Sequence, residues 1–380
     1  MEGELNHAKL TERIERKGAK KILALDGGGI RGMMSVQVLI AIEDLLRKEL
    51  QKDESFRLAD YFDFVSGTST GAIIAACISL GMKARDIEAF YINSGKEMFD
   101  EAFLLDKLRY KFEDEKLARK LREVFDGDEG VTYLGSAKLK TLLMMVMRNA
   151  TTDSPWPICN NPKAKYNDLS LPDCNLKLPL WQLVRASTAA PVYFPPEVLT
   201  VGEHRFIFVD GGITPYNNPA FQTFLMATTQ PYNLNWQAGV KDMLVVSIGT
   251  GTSPGENEKL KPSDMNVLYN AGSIPSALMF AALNEQDFLC RVFGDCVCGD
   301  PLDSEVGDMM DMRGPGPKLF TYARYNAELT RNGLDKLGLP NIKPKDVQKL
   351  DSVDHIADLQ QVGQAVAKQK VKREHFERFL

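Results

Sequence analysis

Short apolar runs along the chain alternate with longer stretches in which apolar residues recur every three or four positions. Residues 21–25 (KILAL) have the pattern of a buried strand, and a helical pattern follows at residues 33–50. The same succession returns at residues 62–65, which lead through a glycine-rich turn into a small-residue apolar helix ending at Leu80. This part of the chain therefore predicts two units of strand, sharp turn and helix.

The rest of the chain continues the alternation. Compact apolar runs predict further strands, at residues 141–146, 206–209, 243–248 and 318–325. Helical spacing predicts further helices, at residues 84–125, 181–186, 274–283 and 353–379. Residues 153–166, rich in Pro and Asn, predict a loop, and residues 249–252 (GTGT) predict a plain glycine turn. The charged segment 101–112 is interpreted either as an amphipathic helix packed on the core or as a lid or membrane-surface contact.

The segment Gly67-Thr68-Ser69-Thr70-Gly71 forms the turn of the second unit. A turn this sharp strains its central residue, and a glycine two positions to either side removes the Cβ atoms that would collide with it. Ser69 would then present its hydroxyl at the start of a helix, where the helix dipole and unpaired N–H groups stabilise negative charge. This arrangement suits a nucleophile, and the alternative is a glycine-flanked serine in an ordinary loop.

The segment Asp26-Gly27-Gly28-Gly29-Ile30-Arg31-Gly32 forms the turn of the first unit. Its backbone can approach a ligand closely, and the N–H groups at the start of the next helix point toward an anion. Gly27, Gly29 and Gly32 match the G-x-G-x-x-G pattern of dinucleotide-binding folds, but no strand follows with the acid that grips the ribose. A loop that holds the oxyanion formed when Ser69 attacks an ester is the more coherent interpretation.

The segment Asp210-Gly211-Gly212 follows the strand predicted at residues 206–209. An aspartate at the carboxyl end of a strand in a parallel sheet lies at the edge where ligands bind. Asp210 is thus a candidate base for Ser69. It needs a dry cleft for this, because an exposed aspartate, with a pKa of about 3.9, is a poor base for an alcohol. The alternative is a triad with His355 or His375, which follow Asp210 in the order of α/β-hydrolases.

Composition and charge exclude several classes of function. The chain has 380 residues, of which 26% are charged, and its net charge of −5 comes without a block of basic residues. Binding to polymeric nucleic acid is therefore not expected, whereas a small nucleotide needs only a local pocket. The charged N-terminal segment lacks the apolar core of a signal peptide, and no later run is long enough to span a membrane. We therefore expect a cytoplasmic protein.

The cysteines do not indicate a metal site. The six cysteines lack the spacing of a disulfide framework, so free thiols are expected. Cys290, Cys296 and Cys298 are close in sequence, but no histidine or second cysteine pair lies near them. We expect neither a metal nor a cofactor.

Taken together and in this order, the three glycine motifs resemble those of patatin-like phospholipases, and residues 186–191 (ASTAAP) resemble a further segment of that family. The resemblance covers residues 21–223. It implies a serine lipid acyl hydrolase acting on membrane phospholipids, in which Ser69 is the nucleophile and Asp210 its base in a Ser-Asp dyad. The implied fold is a three-layer α/β/α sandwich with a mostly parallel central sheet. The implied oxyanion hole is the backbone of Gly27, Gly28 and Gly29, and the supporting motif residues are Asp26, Arg31, Gly32, Gly67, Gly71, Gly211 and Gly212.

The C-terminal part carries a second resemblance. Residues 320–326 (FTYARYN) and 362–379 are similar to bacterial patatin-like effectors of antiphage (CBASS) signalling, which a cyclic dinucleotide activates to degrade membrane phospholipid. This resemblance implies a cyclic dinucleotide as activator and action at the inner face of the membrane. We divide the chain into a polar lead-in (1–20), a catalytic domain (21–223) and a remainder (224–380) that completes the sheet and adds a regulatory C-terminal extension. The alternative from another class is a non-catalytic nucleotide-binding protein on the same fold. Whether the chain forms a homo-oligomer is left open by the sequence.

Overall fold

A nine-stranded sheet organises the part of the chain that the structure describes. The structure is a computed structural model and describes residues 8–99, 110–127, 130–191, 194–253 and 267–380. In space the strands follow the order β5-β6-β3-β2-β1-β7-β9-β8, and β4 pairs with β3. In chain order the strands are β1 (Lys20–Leu25), β2 (Phe64–Thr68), β3 (Leu142–Asn149), β4 (Ser154–Cys159), β5 (Glu197–Val201), β6 (His204–Asp210), β7 (Met243–Ile248), β8 (Gly294–Cys298) and β9 (Phe320–Tyr325).

The central strands run parallel to one another. β1 pairs with β2 on one side and with β7 on the other, and parallel pairing continues from β2 to β3 and from β7 to β9. Because β1 and β2 are neighbours whose carboxyl ends lie at the same edge, the turns that follow them meet there. This pairing brings the glycine loop, defined as Gly27, Gly28 and Gly29, next to the turn that carries Ser69.

Helices cover both faces of the sheet and complete three layers. Leu23 and Leu25 of β1 belong to one apolar cluster and Ile22 and Ala24 to another, because alternate side chains of a strand point to opposite faces. The helices are α1 (Ala8–Glu15), α2 (Gly32–Glu49), α3 (Leu58–Tyr61), α4 (Thr70–Ser79), α5 (Ala84–Phe99), α6 (Tyr110–Phe125), α7 (Leu180–Ser187), α8 (Ala220–Thr228), α9 (Val267–Phe293), α10 (Arg331–Lys336), α11 (Pro344–Gln348) and α12 (Ile356–Lys370). Residues of α2, α4, α5 and α12 join the first cluster, and residues of α1, α8 and α9 join the second. The predicted α/β fold with a mostly parallel central sheet is confirmed.

One strand lies where the sequence predicts a loop. β4 falls within residues 153–166 and pairs antiparallel with β3. Its two prolines, Pro155 and Pro157, fit there because β4 is an edge strand, so a residue without an N–H costs no hydrogen bond in the sheet. The prediction of a loop from Pro and Asn content is therefore wrong for these residues.

The strand that ends in Asp210 also differs from the prediction. β6 runs antiparallel to β3, and its register sets Asp210 opposite Met147. The preceding residue of β3, Val146, is the last to pair with β2, opposite Thr68. The prediction that Asp210 ends a parallel strand is thus wrong. Its carboxylate reaches the carboxyl edge of β2 from the opposite direction.

The C-terminal part of the chain continues the same sheet. β7, β8 and β9 belong to it, and α12 packs against α2. The two helices approach so closely that a Cβ atom on Gly363 would lie 2.7 Å from the Cα atom of Met34. The domain boundary after residue 223 and a regulatory role for residues 224–380 remain predictions.

Two further expectations concern contact with a membrane. The segment interpreted as a lid or an amphipathic helix, residues 101–112, lies outside the described residues except at its last three positions. Among the helices that the structure describes, none combines the length and the apolar character needed to cross a bilayer.

Candidate active site

Ser69 occupies a strained turn between β2 and α4. Its backbone has φ 54° and ψ −124°, a combination that residues with side chains rarely adopt. A Cβ atom on Gly67 would lie 2.0 Å from the carbonyl oxygen of Gly71, and one on Gly71 would lie 2.2 Å from the carbonyl oxygen of Leu25. Both glycines are therefore required by the turn that presents Ser69, and α4 begins directly after it.

The backbone of Ser69 is held by Ser187, at the end of α7. The Ser69 N–H donates to Ser187 Oγ at 3.0 Å, and Ser187 Oγ donates to the carbonyl oxygen of Val146 at 2.6 Å. Ser187 thus ties the strained turn to β3. Ser187 belongs to the small-residue segment 186–191. The sequence identifies this segment but does not predict the contact of Ser187 with Ser69.

The hydroxyl of Ser69 donates a hydrogen bond to Asp210. Ser69 Oγ lies 2.6 Å from Asp210 Oδ2, and Asp210 Oδ1 accepts from the Gly212 N–H at 2.6 Å. Ser69 is 9% exposed and Asp210 is 5% exposed. Burial raises the pKa of Asp210 to about 6, while the hydrogen bonds from Ser69 and Gly212 act in the opposite direction. A serine and a carboxylate far apart in the sequence therefore meet in a nearly dry site.

The glycine loop lies against Ser69. A Cβ atom on Gly27 would lie 3.2 Å from the Cβ atom of Ser69. The Gly27 N–H donates to the backbone carbonyl of Asn217 at 3.1 Å, whereas the N–H groups of Gly28 and Gly29 have no partner among the described residues. Three N–H groups are predicted to hold an oxyanion. Within the described ranges, those of Gly28 and Gly29 have no hydrogen-bond acceptor and could donate to it.

The comparison with known proteins shows the family of the chain. The sequence profile of the family described as Patatin-like phospholipase matches residues 23–224, which is more than half of the chain. The chain belongs to the patatin-like phospholipase family.

The patatin-like chain is similar to several curated relatives. It is 31% identical over 250 residues to an intracellular phospholipase A2 of Caenorhabditis elegans, and the match covers 64% of this chain and 20% of that protein. It is 28% identical over 274 residues to Patatin group M-3 of Solanum tuberosum, covering 65% of this chain and 62% of the relative. With Patatin-like protein 4 of Arabidopsis thaliana it shares 27% identity over 346 residues, 79% of this chain and 82% of the relative. The chain thus spans a fifth of the nematode relative and less than two thirds of the potato one.

A residue after β7 also shapes the glycine loop of this patatin-like chain. Thr250 Oγ1 donates to the carbonyl oxygen of Gly27 at 2.8 Å and would lie 2.1 Å from a Cβ atom on Gly28. The sequence predicts only a plain glycine turn at residues 249–252, but the turn supports the loop directly. The local pattern does not reveal this, because the contact depends on the pairing of β7 with β1.

Asn217 is a further residue at the site that the motifs do not identify. It is 1% exposed, and its Oδ1 has no hydrogen-bond partner in the described ranges. Oδ1 lies 2.3 Å from the position a Cβ atom would take on Gly27 and 3.4 Å from that position on Gly212. The amide therefore sits between the glycine loop and the residues that follow Asp210. In the sequence, only its short distance from Asp210 indicates that Asn217 lies near the site.

Arg31 and Asn217 line the same cavity, which has a volume of about 370 Å³. Arg31 Nη1 donates to the carbonyl oxygen of Gln348 at 3.1 Å, but Arg31 Nε is buried without a partner among the residues described. Burial lowers the pKa of Arg31 to about 10, with Asp26 acting in the opposite direction. The guanidinium therefore stays charged at neutral pH, and its buried Nε has no acceptor among the described residues.

The remaining motif residues position backbone rather than reacting atoms. Asp26, just before the glycine loop, accepts two hydrogen bonds from Arg324. A Cβ atom on Gly32 would lie 2.5 Å from a side-chain oxygen of α4, and one on Gly211 would lie 2.2 Å from a carbonyl oxygen of β3. The absence of side chains at these two positions lets the turns of the site pack closely.

The histidines that the structure describes make no hydrogen bond to Ser69 or Asp210. His355 Nδ1 lies 3.0 Å from an aspartate oxygen of its own helix region, and His375 Nδ1 lies 2.9 Å from a tyrosine hydroxyl. His7 is outside the described residues. None of the described histidines is therefore placed to accept the proton of Ser69, as the triad alternative requires.

The described ranges contain no group of three or more His, Cys, Asp or Glu residues placed to hold a metal ion. All six cysteines are buried free thiols. Burial raises the pKa of Cys77 to about 12, and that of Cys296 also to about 12, so these thiols stay protonated at neutral pH.

Proposed function

We propose that this patatin-like protein hydrolyses acyl esters of membrane phospholipids, with Ser69 as nucleophile and Asp210 as its base. The observation that carries the proposal is the 2.6 Å hydrogen bond from Ser69 Oγ to Asp210 Oδ2 in a buried site. A hydroxyl becomes a nucleophile when a base lies within hydrogen-bond reach. A carboxylate with a pKa of about 6 accepts a proton more readily than an ordinary aspartate and is still ionised at neutral pH.

In the first half-reaction Ser69 Oγ attacks the ester carbonyl carbon while Asp210 accepts the hydroxyl proton. The carbonyl oxygen becomes an oxyanion, and the free N–H groups of Gly28 and Gly29 donate hydrogen bonds to it. The intermediate then breaks its bond to the alcohol oxygen, which takes the proton from Asp210. The lysophospholipid leaves, and the acyl group remains esterified to Ser69.

Water completes the second half-reaction. Its oxygen attacks the acyl carbonyl carbon while Asp210 accepts one of its protons. The same N–H groups hold the second oxyanion, the bond between the acyl group and Ser69 Oγ breaks, and Oγ recovers the proton from Asp210. The fatty acid leaves and the enzyme returns to its starting state. One carboxylate thus serves both halves, and the cycle needs no histidine.

Arg31 favours a phospholipid over a neutral ester as the substrate. A phosphodiester carries a negative charge a few bonds from the ester that is cut. Guanidinium groups bind phosphate through several charge-assisted hydrogen bonds. Arg31 lines the cavity beside the glycine loop, and its Nε has no hydrogen-bond partner among the described residues.

Release of fatty acid from mixed phospholipid vesicles tests the proposal. The wild type should release fatty acid, and Ser69→Ala and Asp210→Asn should fall to background, whereas Ser55→Ala, on an exposed serine, should match the wild type. A fluorophosphonate should label one peptide, the one that contains Ser69. Unchanged release by Ser69→Ala would overturn the assignment of the nucleophile.

The two rival functions give different results in the same assays. A Ser-His-Asp esterase would lose its activity when His355 and His375 are both replaced by alanine, whereas the proposed dyad keeps it. A non-catalytic nucleotide-binding protein would release no fatty acid and take up no fluorophosphonate.

We also propose that a cyclic dinucleotide raises this activity at the inner face of the membrane, as the resemblance of residues 320–326 and 362–379 implies. The support within this chain is that Arg324, in the first of these segments, donates to Asp26 beside the glycine loop. A ligand that moved β9 would therefore act on that loop directly. Equal rates of lipid hydrolysis with and without a panel of cyclic dinucleotides would remove this part of the proposal.

A further inference from the structure

The cavity beside the glycine loop has one apolar wall, formed by α9. Its volume is about 370 Å³, and Met279, Phe280 and Leu283 line it together with Arg31 and Asn217. At positions i, i+1 and i+4 these three side chains share one face of the helix. The cavity is therefore cationic and polar at the glycine loop and apolar along α9.

The apolar wall lies close to neighbours of the catalytic pair, although Ser69 and Asp210 are not among the residues that line the cavity. The Met279 methyl carbon lies 3.4 Å from the position a Cβ atom would take on Gly212, whose N–H is bonded to Asp210. At the same end of the cavity, Asn217 Oδ1 touches Gly27, which packs against Ser69. A group that extends from an ester carbonyl at Ser69 would thus meet Met279 first and continue past Phe280 and Leu283.

The chemistry of this wall matches a hydrocarbon chain. Met279 and Phe280 are half-buried and line the cavity. Apolar side chains left beside open space gain when an apolar ligand displaces water from them. Each methylene that a ligand buries strengthens binding by roughly fourfold. The three side chains therefore select for an alkyl chain and against a short or polar acyl group.

We infer that Met279, Phe280 and Leu283 form the acyl-chain groove of the active site and set the chain length that the enzyme prefers. The inference rests on the proposed function. A volume of about 370 Å³ has room for roughly a dozen groups the size of a water molecule or a methylene. Because the phosphate proposed to bind Arg31 takes part of the same space, medium-chain acyl groups fill the rest of the groove, and longer chains extend beyond it.

Hydrolysis of p-nitrophenyl butyrate, laurate and palmitate by single variants tests the groove. Met279→Trp places bulk at its entrance. We expect kcat/KM for laurate to fall by about tenfold or more relative to that for butyrate, whose shorter chain has less of the groove to fill. The matched control is Leu278→Trp, one position away on α9 and 65% exposed, which should keep the chain-length profile of the wild type.

A second variant enlarges the groove and covers the case in which the tryptophan disturbs folding. Phe280 also lines a neighbouring cavity of about 340 Å³, so Phe280→Ala opens one space into the other. The palmitate-to-laurate ratio of kcat/KM should rise by about threefold or more. A chain-length profile unchanged in both variants, or changed equally by Leu278→Trp, would overturn the groove. A wild type that hydrolyses none of the three esters would instead overturn the proposed function.

Discussion

Arg324 and Asp26, separated by 298 positions in the sequence, form a bidentate ion pair beside the glycine loop. Arg324 Nη1 lies 2.8 Å from Asp26 Oδ1, and Nη2 lies 2.5 Å from Oδ2. The side chains are 3% and 2% exposed. Nη1 also donates to Ser247 Oγ at 2.7 Å, so the pair ties β9 and β7 to the end of β1. The C-terminal part of the chain therefore helps to hold the loop in place.

Removing the arginine should destabilise the protein strongly. Arg324→Met leaves the Asp26 carboxylate buried and unpaired, which costs about 3 to 5 kcal/mol of unfolding free energy. Urea denaturation should show this loss. Asp26→Asn combined with Arg324→Met should be more stable than Arg324→Met alone, because the unpaired charge is gone.

The control for this prediction is an exposed pair of the same type. Arg148→Met removes the partner of Asp153, whose side chain is 80% exposed, and should cost less than about 1 kcal/mol. If Arg324→Met cost no more than Arg148→Met, the buried pair would not stabilise the fold.

Ester hydrolysis should lose activity as the pH falls through about 6. Asp210 accepts a proton only as a carboxylate, and burial raises its pKa to about 6. Below that value the ionised fraction, and with it kcat/KM, should drop by about tenfold per pH unit. The profile is measured with a soluble neutral ester.

A histidine could give a similar inflection, so the control is the variant with His355 and His375 both replaced by alanine. It should keep the profile of the wild type. A plateau that continues down to about pH 4 would mean that Asp210 titrates as an ordinary aspartate.

Ser187→Ala should slow catalysis by loosening the turn that presents Ser69. The variant removes the acceptor of the Ser69 N–H, and a buried N–H without a partner costs about 1 to 3 kcal/mol. We expect kcat to fall by about tenfold or more. Ser79→Ala removes an equally buried hydroxyl, bonded to Thr141, and should lower stability but leave kcat unchanged. Equal kcat values for Ser187→Ala and the wild type would show that the contact does not position the nucleophile.

Arg31→Gln should change the choice of substrate. The variant removes the charge proposed to bind the phosphodiester, so kcat/KM for phospholipid should fall by about tenfold to a hundredfold. A short neutral ester should be hydrolysed within about threefold of the wild-type rate. Arg47→Gln, toward the other end of α2, serves as the control and should leave both substrates unaffected. A parallel loss on both substrates would mean that Arg31 supports the loop and not the head group.

The local elements of the site follow from neighbouring residues. The apolar run of β1, the glycines around Ser69 and the helical spacing after each turn are patterns of a few residues, and the structure has strands, turns and helices there. The strained φ of Ser69 has the same local origin, since Gly67 and Gly71 leave the space for it. Such features depend on backbone sterics within one turn, so they can be predicted from the residues of that turn.

The direction of β6 could not be predicted from local sequence patterns. Residues 206–209 predict a strand but not its partner, and antiparallel pairing with β3 is what brings Asp210 to Ser69. The sequence did not predict β4 for a related reason. Its prolines are unfavourable in a central strand but cost no hydrogen bond in an edge strand. Whether a strand lies at an edge or in the centre is a property of the whole sheet.

The amino-acid sequence by itself determined that this chain has two strand–turn–helix units, a serine in a glycine-flanked turn and an aspartate before two glycines. The tertiary structure alone decided that the Ser69 hydroxyl donates to Asp210, that the Gly27 N–H donates to the backbone carbonyl of Asn217, and that Arg324 pairs with Asp26. The reason is physical, because short-range sterics and periodicity act between residues close in the chain. The burial that raises the pKa of Asp210, and the contact between Asp26 and Arg324, arise only when distant strands pack together.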